Sequence, residues 1–549
     1  MKRHERIVLL AILLLALCLR LKGITNPLLD HPGWRQGDEA AIARNFARVD
    51  ANPLHPQADY NGPGPNYIEL ELQIVPYTAS LLDRLFGVHE IFGRLISLAA
   101  SLGLVGVVYA FGAWLYRSTI AGLCAATLIA IAPGAIFYGR TFQPDTLMTL
   151  LLTAALFMGI RTLVDEPPES WRGITSSTLL LLGALLAKSV AVVAIVPLCA
   201  LAVARFGWVG AIRRPQHGVL LLGAVLPFCF YDRYERAIAS WRWASGIVEH
   251  HVIPELLAAC TSPHAFIHKL VLTAQALTML AHTMLGPVLF ALLFLGFIAP
   301  RRSRTPVILW SWLLGNLLYL WIVVTVEQVD YYLYPFLPLA ALVGGGFLTT
   351  LIERTRWSIR ATPARVLIGL GFALGGFVTI AEARSEIAPY YIYHPAVLHQ
   401  ARLLNQILAP NALVVVGHLD PSVQYYIDRR GWEEDPYLWS VFDEQSAIAK
   451  GARYFVVVEP ERLKRNIELA AWLRRFPILH YPGLHWTVYQ TDPAQTLPNA
   501  EATWHAFRID ERLHRNLPET SIRSAEPIMK PLSTPTPQHD DGFFWGQKK

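Results

Sequence analysis

Two adjacent carboxylates, Asp38 and Glu39 in HPGWRQGDEAAIARNFA, head a small set of side chains that could carry out group transfer. Glu69 and Glu71 follow in NYIELEL, Asp145 closes GRTFQPD, and Arg35, Arg94, Arg140 and Lys188 bring positive charge. An aspartate within hydrogen-bond reach of a hydroxyl can take its proton as that oxygen attacks an electrophile. Cations aimed at a phosphate leaving group stabilise the charge that grows as it departs, arginine by bidentate contact and lysine as a point charge. Asp38 is the candidate base, Arg140 and Lys188 are the leading phosphate ligands, and Arg35 and Arg94 stand behind them. Plainer readings compete with each. Asp38, just after a turn read at Gly37, could cap a helix, and Arg94, near the start of an apolar run, could snorkel to lipid headgroups.

The elements that would have to position these groups are membrane spans. Of 549 residues, 53% are hydrophobic and 16% charged, against roughly 25% charged in soluble proteins, which excludes a soluble enzyme and a disordered chain. Apolar runs recur near residues 7–24, 95–115, 120–138, 145–162, 174–187, 189–204, 217–231, 277–298, 306–326, 332–352 and 364–381, giving about eleven transmembrane helices. The first resembles a signal peptide but lacks a small-residue cleavage site and is read as an uncleaved span. Reading 174–204 as two spans broken at Lys188 puts sixteen basic residues on the cytoplasmic segments and leaves only Arg140 and Lys188 in short outer loops. The long loop 24–94, the turn at 139–145, Lys188, the loop at 232–270 and the EQVDYY turn then share the extracytoplasmic face. Acids and bases gathered at such a boundary are costly unless used.

After residue 381 the pattern changes. ALVVVG at 412–417 and YFVVV at 454–458 are short β-branched runs separated by helical stretches, which predicts a small extracytoplasmic α/β domain with parallel strands over 382–497. It has no glycine-rich phosphate loop, and no chemistry is expected of it. Residues 498–549, rich in Pro, Thr, Ser and His, read as a poorly ordered tail. The five cysteines form no CxxC pair, so neither a disulfide framework nor a zinc knuckle is expected. The net charge of +6 is spread along the chain, without the interleaved aromatic and basic pattern of a nucleic-acid surface.

Six blocks occur in order: WRQGDEAAIARNF, NGPGPNYIELELQIVPY, GVHEIFGRLISL, YGRTFQPDTLM, LLAKSVAVV and DYYLYPFLPLAALVGGG. Over residues 1–381 they resemble the bacterial branch of glycosyltransferase family 39, relatives of protein O-mannosyltransferase and of the lipid A aminoarabinose transferase. The resemblance implies the polytopic GT-C membrane fold. It further implies transfer of a sugar from a polyprenyl-phosphate carrier to a lipid, glycan or protein acceptor, at the periplasmic face of the inner membrane. On it, Asp38 is the catalytic carboxylate and Glu39 completes the acidic pair. Arg140 and Asp145 match the second-turn pattern, Lys188 the lysine after the fifth span, and Tyr332 with Pro335 the aromatic-Leu-x-Pro turn. Glu69 and Glu71 match a paired acidic variant of a block where the aminoarabinose transferase has lysine-proline-proline; that motif is absent here.

A monophosphate leaving group can be neutralised by arginine and lysine alone, so no cofactor is expected to be required. Asp38, Glu69, Glu71 and Asp145 could nonetheless ligate magnesium or manganese. His264 and His268 are four apart, with His250 and His251 upstream, but no HExxH glutamate accompanies them, and packing is the expected role. Two other functions fit many spans. A flippase or exporter of polyprenyl-linked sugars would place its charges near the bilayer midplane and show an internal repeat, which is not apparent. A polysaccharide polymerase would use a diphosphate-linked oligosaccharide.

Overall fold

The computed structural model describes residues 3–165, 170–358 and 362–497; the proposed tail 498–549 lies outside them. Helices occupy the apolar runs: α1 (Arg3–Arg20), α4 (Ile91–Leu115), α5 (Thr119–Ile131) continued by α6 (Pro133–Tyr138), α7 (Asp145–Val164), α8 (Trp171–Ala187), α9 (Ile195–Arg213), α10 (Pro215–Ile238), α13 (Pro263–Met279), α14 (Pro287–Ile298), α15 (Pro306–Tyr319), α16 (Phe336–Ser358) and α17 (Thr362–Glu386). Between them, α2 (Gly33–Arg48) and α3 (Ile74–Phe86) lie in the long first loop, while α11 (Ala244–Ile247) and α12 (Ile253–Thr261) lie in the loop after α10. Among the described residues, five stretches can cross a bilayer by length and apolarity alone, Ile91–Leu115, Asp145–Val164, Ser189–Arg213, Pro306–Val324 and Phe336–Arg354, and a sixth if the bent pair Pro263–Met284 and Pro287–Ile298 forms one span.

Two expected spans are not straight. The run at 277–298 breaks at Leu285–Gly286, where Gly286 has φ +75° and Pro287 opens α14, and the axis bends by 113°. The run at 120–138 breaks at Ala132–Pro133, because proline cannot donate the next helical hydrogen bond. The carbonyls freed at that break are not left bare. Arg20, fully buried at the end of α1, donates to Ala130 O at 3.0 Å and Ile129 O at 3.4 Å, as an interrupted helix in apolar surroundings requires. The region 174–204 does form two helices: Lys188 is extended (φ −170°, ψ 131°), and a 3-10 turn leads into α9.

Close helix approach uses small residues. A Cβ on Gly112 would stand 3.2 Å from Gly122 Cα, and one on Gly345 2.9 Å from Ala125 Cα. Outward faces carry Leu222, Leu226 and Phe230 on α10, and Leu370, Leu374 and Phe377 on α17, the apolar coat expected against lipid tails. Polar contacts gather at the two ends of the bundle. At one, Thr119 donates to Glu5, Arg304 and Trp114 meet Asp165, and Arg301 pairs with Glu353. At the other stand the first loop, the 139–145 turn, Lys188 and the EQVDYY turn.

The C-terminal region adds α18 (Pro395–Ile407), β3 (Leu413–Gly417), α19 (Pro421–Ile427), β4 (Gly431–Glu434), α20 (Val441–Ala449), β5 (Ala452–Val457), α21 (Pro460–Arg465), α22 (Ile467–Leu473) and β6 (Thr487–Gln490). Its sheet runs β4-β3-β5-β6, with the first three strands parallel and β6 antiparallel. A second, two-stranded parallel pair joins β1 (Ile68–Glu69) to β2 (Trp241–Arg242) and ties the first loop to the loop after α10. One face of the larger sheet, through Val414, Val416 and Val456, shares a core with Ala40, Ala41 and Ala43 of α2 and Val75 and Ala79 of α3. The other face packs Val415, Phe455 and Val457 under Trp472. The C-terminal region is therefore part of the wall around the first loop.

Candidate active site

The helix carrying the carboxylate pair begins earlier than the sequence suggests. Pro32 is the N-cap of α2, and Asp38 and Glu39 lie well inside it, so the capping reading of Asp38 is removed. Gly37 does not form a turn. It lets the first turn of α19 lie against α2, since a Cβ there would stand 2.6 Å from Ser422 Cα. This docking buries the neighbouring carboxylates.

Asp38 and Glu39 point along adjacent faces of α2 into different surroundings. Asp38, 4% exposed, meets the Tyr60 hydroxyl, and its Oδ1 accepts no hydrogen bond. Tyr60 is held in turn by Trp243, whose indole N–H donates to its oxygen at 3.1 Å. Burial pushes the Asp38 carboxyl up to about 7 against the opposing pull of Arg35, with Glu39 and Asp420 adding to the rise. Glu433 of β4 belongs to the same acidic group and is likewise raised well above its ordinary range, by burial first and then by Asp38 and Asp420.

Glu39 belongs to a charge network. Arg35, one turn before it, pairs with Glu39 at 2.8 Å and with Glu71. Lys188, held at the break between α8 and α9, donates to Asp145 Oδ1 at 2.7 Å. Its ammonium lies 4.7 Å from the Tyr331 ring centroid and 4.8 Å from that of Tyr332. Leu72 N donates to Leu186 O at 2.8 Å, bringing the Glu71 strand to this break. Glu39 and Asp145 feel each other and Lys188, so two cations and three carboxylates share one buried patch beneath two tyrosines.

Arg94 and Arg140 are not in that patch. Both converge on Asp30, at 3.0 and 2.8 Å, with all three side chains fully buried. Arg94 also donates to the carbonyls of Gly23 and Asn26, and Arg140 to Gly23 O. Gln36 completes the knot, donating to Asp30 Oδ1 at 2.8 Å and accepting from Arg94 and from the Phe142 amide. Arg94 therefore does not snorkel, and both guanidinium groups brace the first loop against α4 and the 139–145 turn. Glu69 is committed too: it accepts from the Ser245 amide and hydroxyl and pairs with Arg236 at 3.4 Å, which ties two loops together.

Asp30, Tyr60, Glu433 and Asp330 escape a reading of the sequence. Asp330 accepts from the Tyr138 and Tyr390 hydroxyls, with His31 at 3.5 Å. Only the position of Asp30 just before HPGW, in an otherwise apolar stretch, could have drawn notice. Among the described residues no group of three or more His, Cys, Asp or Glu is arranged to hold a metal ion. Three of the carboxylates considered for that role are engaged otherwise: Glu71 with Arg35, Asp145 with Lys188 and Glu69 with Ser245. His264 and His268 are exposed on α13.

Residues 73–231 match the family model described as dolichyl-phosphate-mannose-protein mannosyltransferase. No curated protein sequence matches the chain. Among solved structures, ArnT from Cupriavidus metallidurans bound to undecaprenyl phosphate aligns with a TM-score of 0.59 at 14% identity, covering 89% of this chain and 99% of that one. The Archaeoglobus fulgidus oligosaccharyltransferase AglB, in complex with an inhibitory peptide and a dolichol-phosphate, aligns at 0.55 and 13% identity over 91% of this chain and 75% of that one. The same organism's oligosaccharyltransferase in complex with Zn and sulfate aligns at 0.54 and 13% identity, covering 90% and 74%.

Proposed function

From the GT-C fold of this chain and the mannosyltransferase family match across residues 73–231, we propose that it is a membrane glycosyltransferase that moves a sugar from a polyprenyl-phosphate carrier to an acceptor hydroxyl with inversion. The site end of the bundle then faces the extracytoplasmic side of the inner membrane, and the acceptor is a lipid, glycan or protein. The observation that carries this reading is the juxtaposition on α2. A base-like carboxylate, Asp38, stands beside a patch where Arg35 and Lys188 are held ready by Glu39, Glu71 and Asp145.

In this mechanism Asp38, ionised, takes the acceptor hydroxyl proton as the oxygen attacks the anomeric carbon, and the bond to the phosphate oxygen breaks. A carboxyl whose pKa lies near neutrality is matched to that task. Lys188 and Arg35 meet the departing phosphate in water-poor surroundings, where their charge is felt strongly. Glu39 and Asp145 hold these two cations in place, Tyr332 lines the patch, and Glu71 fixes Arg35 from the far side. Arg94 and Arg140 act through Asp30 as positioning residues. Glu69 keeps the 232–270 loop against the site. The reaction is written without a metal or other cofactor.

The test is transfer from a radiolabelled polyprenyl-phosphate sugar by the purified full chain in nanodiscs, with binding scored separately. Lys188→Ala should weaken both donor binding and turnover, because a phosphate contact exists in the ground state and strengthens at the transition state. Failure of the parent protein to bind any such donor, or movement of the donor across vesicles without transfer, would overturn the reading.

A further inference from the structure

Beside the Asp30 knot, where Arg140 meets the Tyr391 ring, a groove of about 230 Å³ opens between the ends of α1 and α17. Its walls are apolar, from Leu19, Ile136 and Ile387, while Lys22, Arg384 and Tyr391 stand at its mouth. The Tyr391 ring is held between cations: the Lys22 ammonium lies 4.2 Å from its centroid and the Arg140 guanidinium 4.8 Å. Among the described residues neither Lys22 nor Arg384 has a carboxylate partner, and the nearby Glu386 pairs with His282 at 3.2 Å. Beneath them, one Asp30 serves both Arg94 and Arg140, and the Glu90 carboxylate also attracts Arg94. The groove is strongly cationic and holds no anion of its own.

Two exposed apolar stripes lead to it. On α1, Leu10, Leu14 and Cys18 follow at intervals of four, and Lys22 continues the series. On α17, Leu370, Leu374, Phe377 and Ala381 lie on one helical face that ends at Arg384. Chains lying along these stripes would deliver a lipid headgroup to the two cations. The charge decides which lipid. A phosphate monoester carries about −1.5 to −2 near neutral pH, whereas a diester carries one charge. Two cations at one mouth, Lys22 and Arg384, neither with a carboxylate partner, are matched to the more highly charged monoester.

We propose that this groove binds the monoester phosphate of the spent polyprenyl carrier, at a place separate from the reacting carboxylates. The inference rests on the donor reading above, since transfer turns a phosphodiester carrier into a monoester. It gives the chain a means of telling product from donor: loss of the sugar adds the charge that Lys22 and Arg384 can meet.

Native mass spectrometry of the full chain in detergent, loaded with a polyprenyl phosphate, with phosphatidylglycerol or with inorganic phosphate, tests it without requiring activity. Lys22→Ala/Arg384→Ala should lower retention of the monoester by about tenfold or more and leave phosphatidylglycerol nearly unchanged. Lys22→Arg/Arg384→Lys should retain the monoester, and inorganic phosphate should not displace it. In the transfer assay the double alanine variant should show weaker inhibition by added polyprenyl phosphate. Arg302→Ala, at the opposite end, serves as control. Equal monoester retention in parent and double variant overturns the groove. An equal loss of phosphatidylglycerol shows general headgroup contact, and displacement by inorganic phosphate shows a free-anion site; either also overturns it. Variant-sensitive monoester binding by a chain that transfers no polyprenyl-phosphate sugar would sink the proposed function and leave the groove standing.

Discussion

Replacing Asp38 with asparagine should sharply lower transfer and at the same time stabilise the fold above neutral pH. The carboxyl moves from 3.8 to about 7 on folding because burial penalises its ionised form. At about 1.4 kcal/mol per tenfold change in acidity, the charged side chain costs on the order of 4 kcal/mol more in the fold than in the unfolded chain. The raised value means that the folded state binds the extra proton. The penalty is thus absent below about pH 4, grows between pH 4 and 7, and is full above that range. Asparagine keeps the shape but cannot ionise; it pays instead for a buried amide with incomplete partners, on the order of 2 kcal/mol. A net gain of roughly 2 kcal/mol at pH 8 follows, vanishing or reversing near pH 4.5. Thermal unfolding of the purified chain at the two pH values measures this. Transfer should fall by about 10²-fold or more, with donor binding nearly normal, and the parent's kcat/KM should decline as pH drops below about 7. An Asp38→Asn variant that retains transfer, or that is destabilised equally at both pH values, would refute the assignment of a buried, strained base.

Other perturbations separate the supporting parts. Asp30→Asn leaves two buried guanidinium groups without their anion and should cost about 3 kcal/mol or more, read as a lower unfolding temperature; a variant as stable as the parent would contradict the bracing role. Gly37→Leu should push α19 away from α2, lowering transfer and exposing residues 395–490 to protease, whereas full activity with a protected C-terminal region would show that the docking is unimportant. EDTA treatment should leave transfer unchanged, and loss restored by added magnesium or manganese would place a metal in the reaction. Lys464→Cys, introduced with the native cysteines replaced, should react with an impermeant maleimide in intact spheroplasts; protection there would reverse the proposed orientation.

The apolar runs by themselves determined a membrane protein and the places of its helices, because a backbone crossing a bilayer must satisfy its hydrogen bonds locally and so writes itself as contiguous hydrophobic sequence. The two β-branched runs likewise announced the parallel strands β3 and β5. The blocks around Asp38, Arg140, Lys188 and Tyr332 carried the resemblance, and the GT-C fold it implied is the one found. Tertiary structure alone decided who meets whom. Arg94, Arg140 and Lys188 look equivalent as isolated cations, yet two are bound to Asp30 and one to Asp145, since a buried charge takes the partner that folding brings, at a distance along the chain that no spacing encodes. Pro133 and Pro287 could have been read as breaks, but the burial of Arg20 under the first break required a third helix to arrive there. The role of the C-terminal region was hidden for the same reason. Gly37 reads as a turn in sequence, and only the approach of Ser422, almost four hundred residues away, shows it to be the contact that closes the wall over Asp38.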